Sequence, residues 1–211
     1  MEAVTGMRPI SAGDVKIRGV SVKGKTPGEI RALGLAHVPE DRMATGVSRQ
    51  ADLAENLIMG KHKNREFTRF RFHRNKSAVT AYAKKLFSRY DIRAAGLEVP
   101  AGSLSGGNVQ KVVIAREFSF DAPVLVISQP TRGVDIGATQ FIHQHIIDKR
   151  DQGCGILLCS ADLDEVFRLS DRIITLYEGR ITGEFRADEI SKEEIGYYMT
   201  GSRREEAELR G

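Results

Sequence analysis

Short apolar runs separated by stretches of helical periodicity dominate the hydrophobic pattern of this 211-residue chain. Residues 124–127 and 155–159 are continuous apolar runs of strand length, and residues 35–38 have the pattern of a third, shorter strand. Apolar residues recur at three- and four-residue steps over residues 79–90 and 138–146, which predicts two amphipathic helices. Strands that alternate with helices in this way predict a parallel sheet covered by helices on both faces.

Local signals mark the starts of two further helices. Thr26 is a favourable N-cap, Pro27 suits the first helical position, and Glu29 completes a capping box. Asp52 and Glu55 repeat this box with aspartate as the cap. The sequence therefore predicts helices that begin directly after these two caps.

The outer parts of the chain contain three more patterns. Residues 1–7 are compatible with the tail of a helix, and residues 14–20 alternate in the manner of a half-buried strand. Residues 172–177 and 180–185 flank a Glu-Gly dipeptide, which predicts a β-hairpin.

Composition excludes several classes of function. Lys and Arg outnumber Asp and Glu by 32 to 28, and a net charge of +4 argues only weakly for nucleic acid or anionic lipid. Trp is absent and aromatic residues make up 7% of the chain, which disfavours a base-stacking surface. No apolar run approaches the roughly 18 residues of a spanning helix, and residues 1–6 lack the pattern of a signal peptide. We therefore expect neither a membrane span nor nucleic-acid binding.

The cysteines and histidines predict no redox or metal chemistry. Cys154 and Cys159 suit a reducing compartment without a disulfide framework. Cys159 lies in an apolar run, so we interpret it as a small buried hydrophobe and disfavour a redox pair. His143 and His145 are two positions apart on a predicted helix and point in different directions, so we propose no metal site.

A basic stretch at residues 61–76 contains Phe67, Phe70 and Phe72 between its charges. Interleaved arginine and phenylalanine is compatible with RNA binding, but also with an exposed loop that faces a protein partner. We favour the partner-facing loop, with the three phenylalanines exposed. Together with the helix that follows, residues 42–100 are predicted to form a helical insertion.

A glycine-rich loop precedes another predicted helix, which begins near residue 109. Ser105 can cap this helix, while Gly106 and Gly107 allow a bound group to approach the backbone N–H donors. The positive end of the helix dipole would then face an anion such as phosphate. On these residues alone, an ordinary capped helix after a loop is an equally good interpretation.

The order of the remaining motifs changes this balance. Leu104, Ser105, Gly106, Gly107 and Asn108 are followed by a helix, an apolar strand, a Pro-Thr-Arg-Gly-Val-Asp segment, a helix and a second strand. This order resembles the second half of the nucleotide-binding domain of ABC transporters over nearly the whole chain. The Val-Pro-Glu-Asp-Arg and Pro-Thr-Arg-Gly-Val-Asp motifs are most similar to those in the second domain of fused double ATPases that serve simple-sugar and nucleoside importers. The resemblance implies a P-loop NTPase-like (ABC ATPase) α/β fold, with a parallel sheet covered by helices, a helical subdomain and an incomplete N-terminal part.

Within this resemblance, residues 104–108 correspond to the signature loop, and Asp135 falls on the D-loop. The Pro-Thr-Arg-Gly-Val-Asp segment that contains Asp135, residues 130–135, is called the D-loop. Residues 38–42 correspond to the Q-loop and residues 124–129 to the Walker B strand. The resemblance divides the chain into four parts. These are a remnant of the ATPase core (residues 1–41), a helical subdomain (42–103), the signature-to-switch part of the core (104–201) and a charged tail (202–211).

The sequence departs from the family pattern at the positions that would catalyse hydrolysis. Ser128 and Gln129 replace the Walker B carboxylates, Ala161 replaces the switch histidine, and Glu40 replaces the Q-loop glutamine. A neutral amide is no general base, and serine is a weak partner for Mg²⁺. No P-loop motif is present in this sequence, which resembles a domain truncated before that motif. We therefore expect no ATP hydrolysis by the chain alone.

The retained motifs imply a role in another domain's site. By resemblance, Ser105, Gly106, Gly107 and Asn108 contact ATP that is held with Mg²⁺ mainly by a second ABC ATPase domain, and Asp135 communicates between the two sites. The resemblance further implies transmembrane permease subunits as partners, a substrate-binding protein as an indirect partner, and a peripheral location on the cytoplasmic face of the plasma membrane. The alternative is a non-catalytic regulatory or scaffolding module that binds a partner ATPase.

Overall fold

A computed structural model of the chain describes residues 1–69 and 73–203. These residues form two compact units, residues 1–159 and residues 160–211, of which the second is described to residue 203. Within the described residues, no helix has the length and apolar character needed to cross a membrane.

The first unit contains seven short strands and five α-helices among its described residues. The strands are β1 (Lys16–Ile17), β2 (Val20–Ser21), β3 (Leu35–Val38), β4 (Thr68–Arg69), β5 (His73–Arg74), β6 (Val124–Ser128) and β7 (Gly155–Cys159). The helices are α1 (Pro27–Ala32), α2 (Leu53–Ile58), α3 (Lys76–Arg89), α4 (Gly106–Phe118) and α5 (Ile136–Asp151).

A three-stranded parallel sheet in the order β3-β6-β7 forms the centre of this unit. Its register places Val38 opposite Ile127 and Ser128 opposite Cys159. Strand β6 is central and its residues 125–128 are buried, as a parallel strand between two neighbours requires. The parallel sheet with helices confirms the predicted α/β class.

Strand β7 differs from its prediction as a buried strand. It lies at an edge of the sheet, with Gly155, Leu157 and Cys159 exposed and the residues between them half-buried. The interpretation of Cys159 as a buried hydrophobe is therefore wrong. An apolar run has the same sequence pattern whether one face or both faces of the strand are covered.

Helix α4 provides much of the core of the first unit. All ten residues from 109 to 118 are buried, and the helix packs against α2, α3, α5 and β3. Near its end, Glu117 is 1% exposed, and its carboxylate accepts hydrogen bonds from Arg31 at 2.8 Å and from Arg116 at 2.8 Å. A buried charge of this kind is stable only when it is paired and hydrogen-bonded.

Both predicted helix caps are confirmed. The backbone N–H of Glu29 donates to Thr26 Oγ1 at 3.3 Å, and the Glu29 carboxylate accepts from the Thr26 N–H at 2.8 Å. Asp52 Oδ1 accepts from the N–H of Glu55 at 2.7 Å. These bonds satisfy N–H groups that the first turn of a helix leaves without intrahelical partners.

Residues 1–7 form turns and not the tail of a helix. The N–H of Met7 donates to the carbonyl of Glu2 at 2.9 Å, and the Thr5 hydroxyl donates to the same carbonyl at 3.1 Å. Gly6 has a φ of +76°, which right-handed helical backbone does not adopt. Residues 14–20, predicted as one strand, contribute to the hairpin of β1 and β2.

The segment between residues 42 and 100 contains α2 and α3, as predicted, together with a short hairpin of β4 and β5. Phe67 is 1% exposed and packs with Ile58 and Val79, and its ring lies 5.1 Å from that of Tyr82. The predicted exposure of Phe67 is therefore wrong, because α2 and α3 together enclose its ring. Phe70 and Phe72 lie outside the described residues.

The second unit consists of α6 (Leu163–Leu169), β8 (Arg172–Tyr177), β9 (Arg180–Arg186) and α7 (Lys192–Met199). Strands β8 and β9 form the predicted hairpin, and its turn residues Glu178 and Gly179 both have positive φ, as a two-residue hairpin turn requires. Helix α7 packs on the hairpin, where Thr182 Oγ1 donates to the carbonyl of Tyr198 at 2.9 Å.

Candidate functional site

The signature loop ends at the first turn of α4, which begins at Gly106 and not near residue 109 as predicted. Ser105 occupies the N-cap position with extended backbone, but its side chain forms no capping bond to the helix backbone. Instead, the Ser105 hydroxyl accepts a hydrogen bond from Asn108 Nδ2 at 3.0 Å. The predicted side-chain cap is therefore wrong, because the Ser105 hydroxyl is hydrogen-bonded to the side-chain amide of Asn108 and not to the helix backbone.

The start of α4 is accessible. Ser105 is exposed, and Gly106, Gly107 and Asn108 are half-buried. The first backbone N–H groups of a helix have no intrahelical acceptors, and the positive end of the dipole lies there. Neither glycine carries a side chain of its own, although the guanidinium of Arg42 lies against Gly106, where a Cβ would be 2.7 Å from Arg42 Nη2. This arrangement can accept an anionic oxygen, although the structure holds no ligand.

The side chain of Asn108 is occupied at both ends. Its Oδ1 accepts from the N–H of Arg93 at 2.8 Å, while its Nδ2 donates to Ser105. These bonds tie the first turn of α4 to the segment that follows α3. The side chain of Asn108 therefore shapes the loop, and its Nδ2 has one further N–H beyond the bond to Ser105.

The D-loop lies beside the signature loop. Gln110 Nε2, which is buried, donates to the carbonyl of Pro130 at 2.8 Å and joins α4 to the start of the D-loop. At the other end of the D-loop, a Cβ placed on Gly107 would lie 3.7 Å from Asp135 Oδ2. The structure thus brings Asp135 close to Gly107 of the signature loop.

Asp135 also begins helix α5. Its Oδ1 accepts from the N–H of Ala138 at 2.8 Å, so it is the N-cap of that helix. The hydrogen bond from Ala138 lowers the pKa of Asp135 below its ordinary value, and nearby Lys111 contributes a smaller electrostatic effect in the same direction. The carboxylate is therefore ionised at neutral pH.

Residues 40–42 also contact the D-loop. Arg42 Nη1 donates to the carbonyl of Arg132 at 2.5 Å, and Arg42 Nη2 donates to the carbonyl of Gly133 at 3.2 Å. Arg132 Nη1 in turn lies 2.7 Å from Glu40 Oε1. By resemblance, Arg42 belongs to the Q-loop, but the sequence does not predict these contacts, because the partners are about ninety positions away along the chain.

The Walker B positions lie at the end of β6. Ser128 is 6% exposed and pairs with Cys159 across the sheet, and Gln129 follows with a φ of +50°. The N–H of Gln129 donates to the carbonyl of Cys159 at 2.7 Å. A non-glycine residue in left-handed backbone marks the sharp turn by which the chain leaves the sheet and enters the D-loop.

The structure brings part of the predicted site together. The signature loop, the D-loop and Glu40 are linked through the contacts described above, and Ser128 and Gln129 lead directly into the D-loop. Ala161 belongs to the second unit, so its predicted place at the switch position stays a prediction. Among the described residues, no group of three or more His, Cys, Asp or Glu side chains is arranged to hold a metal ion.

Comparison with known proteins gives import ATP-binding proteins as relatives. The nucleoside import ATP-binding protein NupA of Lactococcus lactis is 35% identical over 201 residues, which is 95% of this chain and 40% of that protein. The guanosine import ATP-binding protein NupO of Bacillus subtilis is 35% identical over 207 residues, or 98% of this chain and 40% of that protein. A ribose import ATP-binding protein of Rhizobium etli is 34% identical over 92% of this chain and 38% of its own length. The chain thus spans about 40% of the length of these relatives.

Solved structures agree in fold. A nucleotide-free ATP-binding cassette from an ABC transporter superposes with a TM-score of 0.71 at 21% identity, covering 94% of this chain and 77% of that one. A dimeric ATP-binding cassette in a post-hydrolysis state, bound to ADP and phosphate, gives a TM-score of 0.72 at 17% identity, covering 88% and 78%. No protein-family model matches the chain.

Proposed function

We propose that this chain is a component that energises the import of nucleosides or simple sugars. It is homologous to the ATP-binding proteins of ABC importers and has the ABC ATPase fold. The observation that carries this proposal is the accessible first turn of α4, with the D-loop carboxylate of Asp135 beside its glycines. The relatives, which are named for the import of nucleosides, guanosine and ribose, supply the class of solute.

In this proposal the signature loop acts on ATP held by a second ABC ATPase domain. The Ser105 hydroxyl and the N–H groups of Gly106 and Gly107 donate to the terminal phosphate, and the dipole of the 13-residue α4 favours the negative charge there. Donors fixed in place before the reaction stabilise charge that develops in the transition state. The α4 packing described above holds these donors rigidly.

The chain's own site is proposed to be degenerate. Neither Ser128 nor Gln129 offers a carboxylate at the end of β6, and Ala161 has no imidazole for a phosphate. Glu40 is a carboxylate, but it pairs with Arg132. The end of β6 therefore offers no general base and no carboxylate that could bind Mg²⁺, so these residues do not activate water. ATP with Mg²⁺ is then bound mainly by the second domain.

The remaining partners follow from the proposed transport role. A component that energises import acts with transmembrane permease subunits, and through them with a substrate-binding protein. Its place is then peripheral, on the cytoplasmic face of the plasma membrane. Nucleic acid is not a proposed partner.

Substitution of Ser105 by arginine in the complete importer tests this proposal. Arginine places a cation at the positive end of α4 and fills the approach to the glycines, so ATPase activity should fall. Loss of one transition-state donor typically lowers the rate by roughly 10²–10³-fold. ATPase rates of the purified assembly in nanodiscs give the measurement. Ser88→Arg is the matched control, because Ser88 is an exposed serine on α3, away from the signature loop.

Two outcomes separate the proposal from the scaffolding alternative. Near-normal turnover of the Ser105→Arg assembly, with both ATPase domains still associated, would show that the signature loop has no role in hydrolysis. The double change Ser128→Asp and Gln129→Glu should alter turnover little, because Ala161 and Glu40 still leave that site incomplete. A large gain in turnover from this pair would contradict the degenerate assignment.

A further inference from the structure

The segment that follows β3 presents Arg42 to the D-loop from a fixed backbone. Asp41 Oδ1 accepts hydrogen bonds from the N–H groups of Met43 and Ala44, both at 2.9 Å, and so caps the single π-helical turn Arg42–Gly46. Arg42 is the first residue of that turn. Its side chain therefore extends from the start of a capped turn.

The guanidinium of Arg42 bonds two consecutive carbonyls of the D-loop. One terminal nitrogen donates to Arg132 and the other to Gly133, at the distances given above. A planar guanidinium can span two carbonyls with parallel N–H groups, whereas the single ammonium of lysine cannot reproduce this fork. Hydrogen bonds with a charged donor are also stronger than neutral ones.

Two glycines leave the space that this guanidinium fills. A Cβ on Gly106, the first residue of α4, would lie 2.7 Å from Arg42 Nη2. A Cβ on Gly133, which has a φ of +65°, would lie 3.3 Å from the same nitrogen. The guanidinium therefore packs between the start of the signature helix and the D-loop, and its fit depends on the absence of side chains at both positions.

The side chain of Arg132, in the D-loop, forms a second contact with residues 40–42. Its ion pair with Glu40 is exposed, since the two side chains are 69% and 58% accessible, so it adds little free energy by itself. It nevertheless joins the D-loop to the residue two positions before Arg42. Backbone and side chain of the D-loop are thus both held by residues 40–42.

We propose that Arg42 is a positioning residue that holds the D-loop against the first turn of α4, so that Asp135 stays beside Gly107. The contact itself does not depend on the proposed function. Its consequence for ATP hydrolysis does, because only in that role do the signature loop and the D-loop act together on one phosphate.

Hydrogen exchange of the full 211-residue chain tests the contact without any nucleotide. The amides of Arg132 and Val134 are the reporters, since they donate to Gln129 and Thr131 within the D-loop region. In Arg42→Gln, these amides should exchange at least about tenfold faster, because both hydrogen bonds from the charged guanidinium are lost and one alone typically accounts for about that factor. Arg42→Lys should also leave exchange fast, because it keeps the charge but loses the fork.

Two internal references separate this local effect from general destabilisation. Amides in the middle of α3 report global opening, and their exchange should change little in either variant. Arg8→Ala is the control for removing an arginine, since Arg8 is 73% exposed and pairs with Glu2. Unchanged exchange at Arg132 and Val134 in Arg42→Gln would overturn the proposal, and so would full restoration by Arg42→Lys.

ATPase kinetics of the assembled importer test the consequence. Arg42→Gln should lower kcat several-fold and leave KM for ATP nearly unchanged, because ATP is bound by the second domain. If Ser105→Arg abolishes activity but Arg42→Gln leaves kcat unchanged, the positioning role is wrong while the proposed function stands. If Ser105→Arg has no effect, the proposed function fails, and the exchange experiment still decides whether Arg42 holds the D-loop.

Discussion

Arg31 Nη1 lies 2.8 Å from Oε2 of Glu117, a carboxylate that is almost completely buried although the two residues are 86 positions apart. The same oxygen accepts from the backbone N–H of His37 at 3.2 Å, and Oε1 accepts from Arg116 at 2.8 Å. This cluster connects α1, β3 and the end of α4. Both carboxylate oxygens are satisfied, so the buried charge supports the packing of the first unit.

Replacing Glu117 by alanine should destabilise the chain strongly. Removing one partner of a buried ion pair leaves the buried Arg116 without compensation, which typically costs about 3–5 kcal/mol. Denaturant unfolding of the 211-residue chain measures the change in the free energy of unfolding. Glu2→Ala is the control, because Glu2 forms an exposed pair with Arg8 and should change stability by less than about 1 kcal/mol. Equal effects of the two changes would contradict this account.

The same carboxylate should contribute to acid unfolding. Burial raises the pKa of Glu117, but Arg116 and Arg31 outweigh this effect, so its pKa in the folded chain lies below the ordinary value of 4.5. A depressed pKa stabilises the fold above the unfolded-state value, and this contribution is lost as pH falls through the folded-state pKa. In Glu117→Gln this component of the pH dependence should disappear, which unfolding curves collected below pH 5 would reveal.

His145 should make stability depend on pH in a higher range. Its ring lies 4.7 Å from Tyr90 and 4.4 Å from Phe141, and burial lowers the pKa of His145 below 6.5, with Asp148 opposing and Arg89 assisting. The neutral ring is favoured in the folded chain, so stability should be full above pH 6.5 and decline as pH falls through the folded-state pKa.

Replacement of this histidine by phenylalanine tests the effect. His145→Phe keeps the ring packing and removes the titration, so the difference in unfolding free energy between pH 7.5 and pH 5.5 should shrink. The variant should still show some pH dependence of stability, because burial also lowers the pKa of His37. His62→Phe is the matched control, because His62 is exposed. An unchanged pH dependence in His145→Phe would contradict this explanation.

A pair of glycine substitutions should have opposite signs. Gly34 has a φ of +100°, and a Cβ there would lie 2.9 Å from Pro123 Cδ, so Gly34→Ala should destabilise by at least about 1–2 kcal/mol. Gly28 lies within α1, where a Cβ would meet no atom within 4 Å, so Gly28→Ala should stabilise by up to about 1 kcal/mol. Thermal unfolding of both variants gives the comparison. A stabilised Gly34→Ala chain would contradict the backbone argument.

The sequence predicted those features that depend on neighbouring residues. The N-caps Thr26 and Asp52 each accept from a backbone N–H three positions later, and both bonds are present in the structure. The reciprocal bond that completes a capping box is present at Thr26. The parallel sheet follows from apolar strands that alternate with helices. The order of the motifs indicated the ABC ATPase fold, which the solved cassettes confirm.

The wrong predictions concern burial and hydrogen-bond competition. Phe67 lies in a basic stretch but is enclosed by helices on either side of it in sequence, and Cys159 lies in an apolar run at the edge of the sheet. The Ser105 hydroxyl can form a hydrogen bond with either a backbone amide of the helix or the Asn108 side chain, and the sequence does not show which of the two bonds is favoured. The Arg42 fork joins residues about ninety positions apart, so no local pattern could reveal it.

The N-cap bond of Asp135 links the D-loop to the interior of the first unit. The oxygen that caps α5 cannot turn to another partner without releasing the N–H of Ala138, at a typical cost of about 1 kcal/mol. Ala138, Ile142 and Ile146 of helix α5 are buried, so loss of the cap would affect a helix that contributes to the core. Because coupling free energies are reciprocal, any partner that binds the capped conformation more tightly also stabilises the start of α5 by the same amount. Docking at the D-loop would then be detectable as slower amide exchange at Ala138, a residue that the partner need not touch.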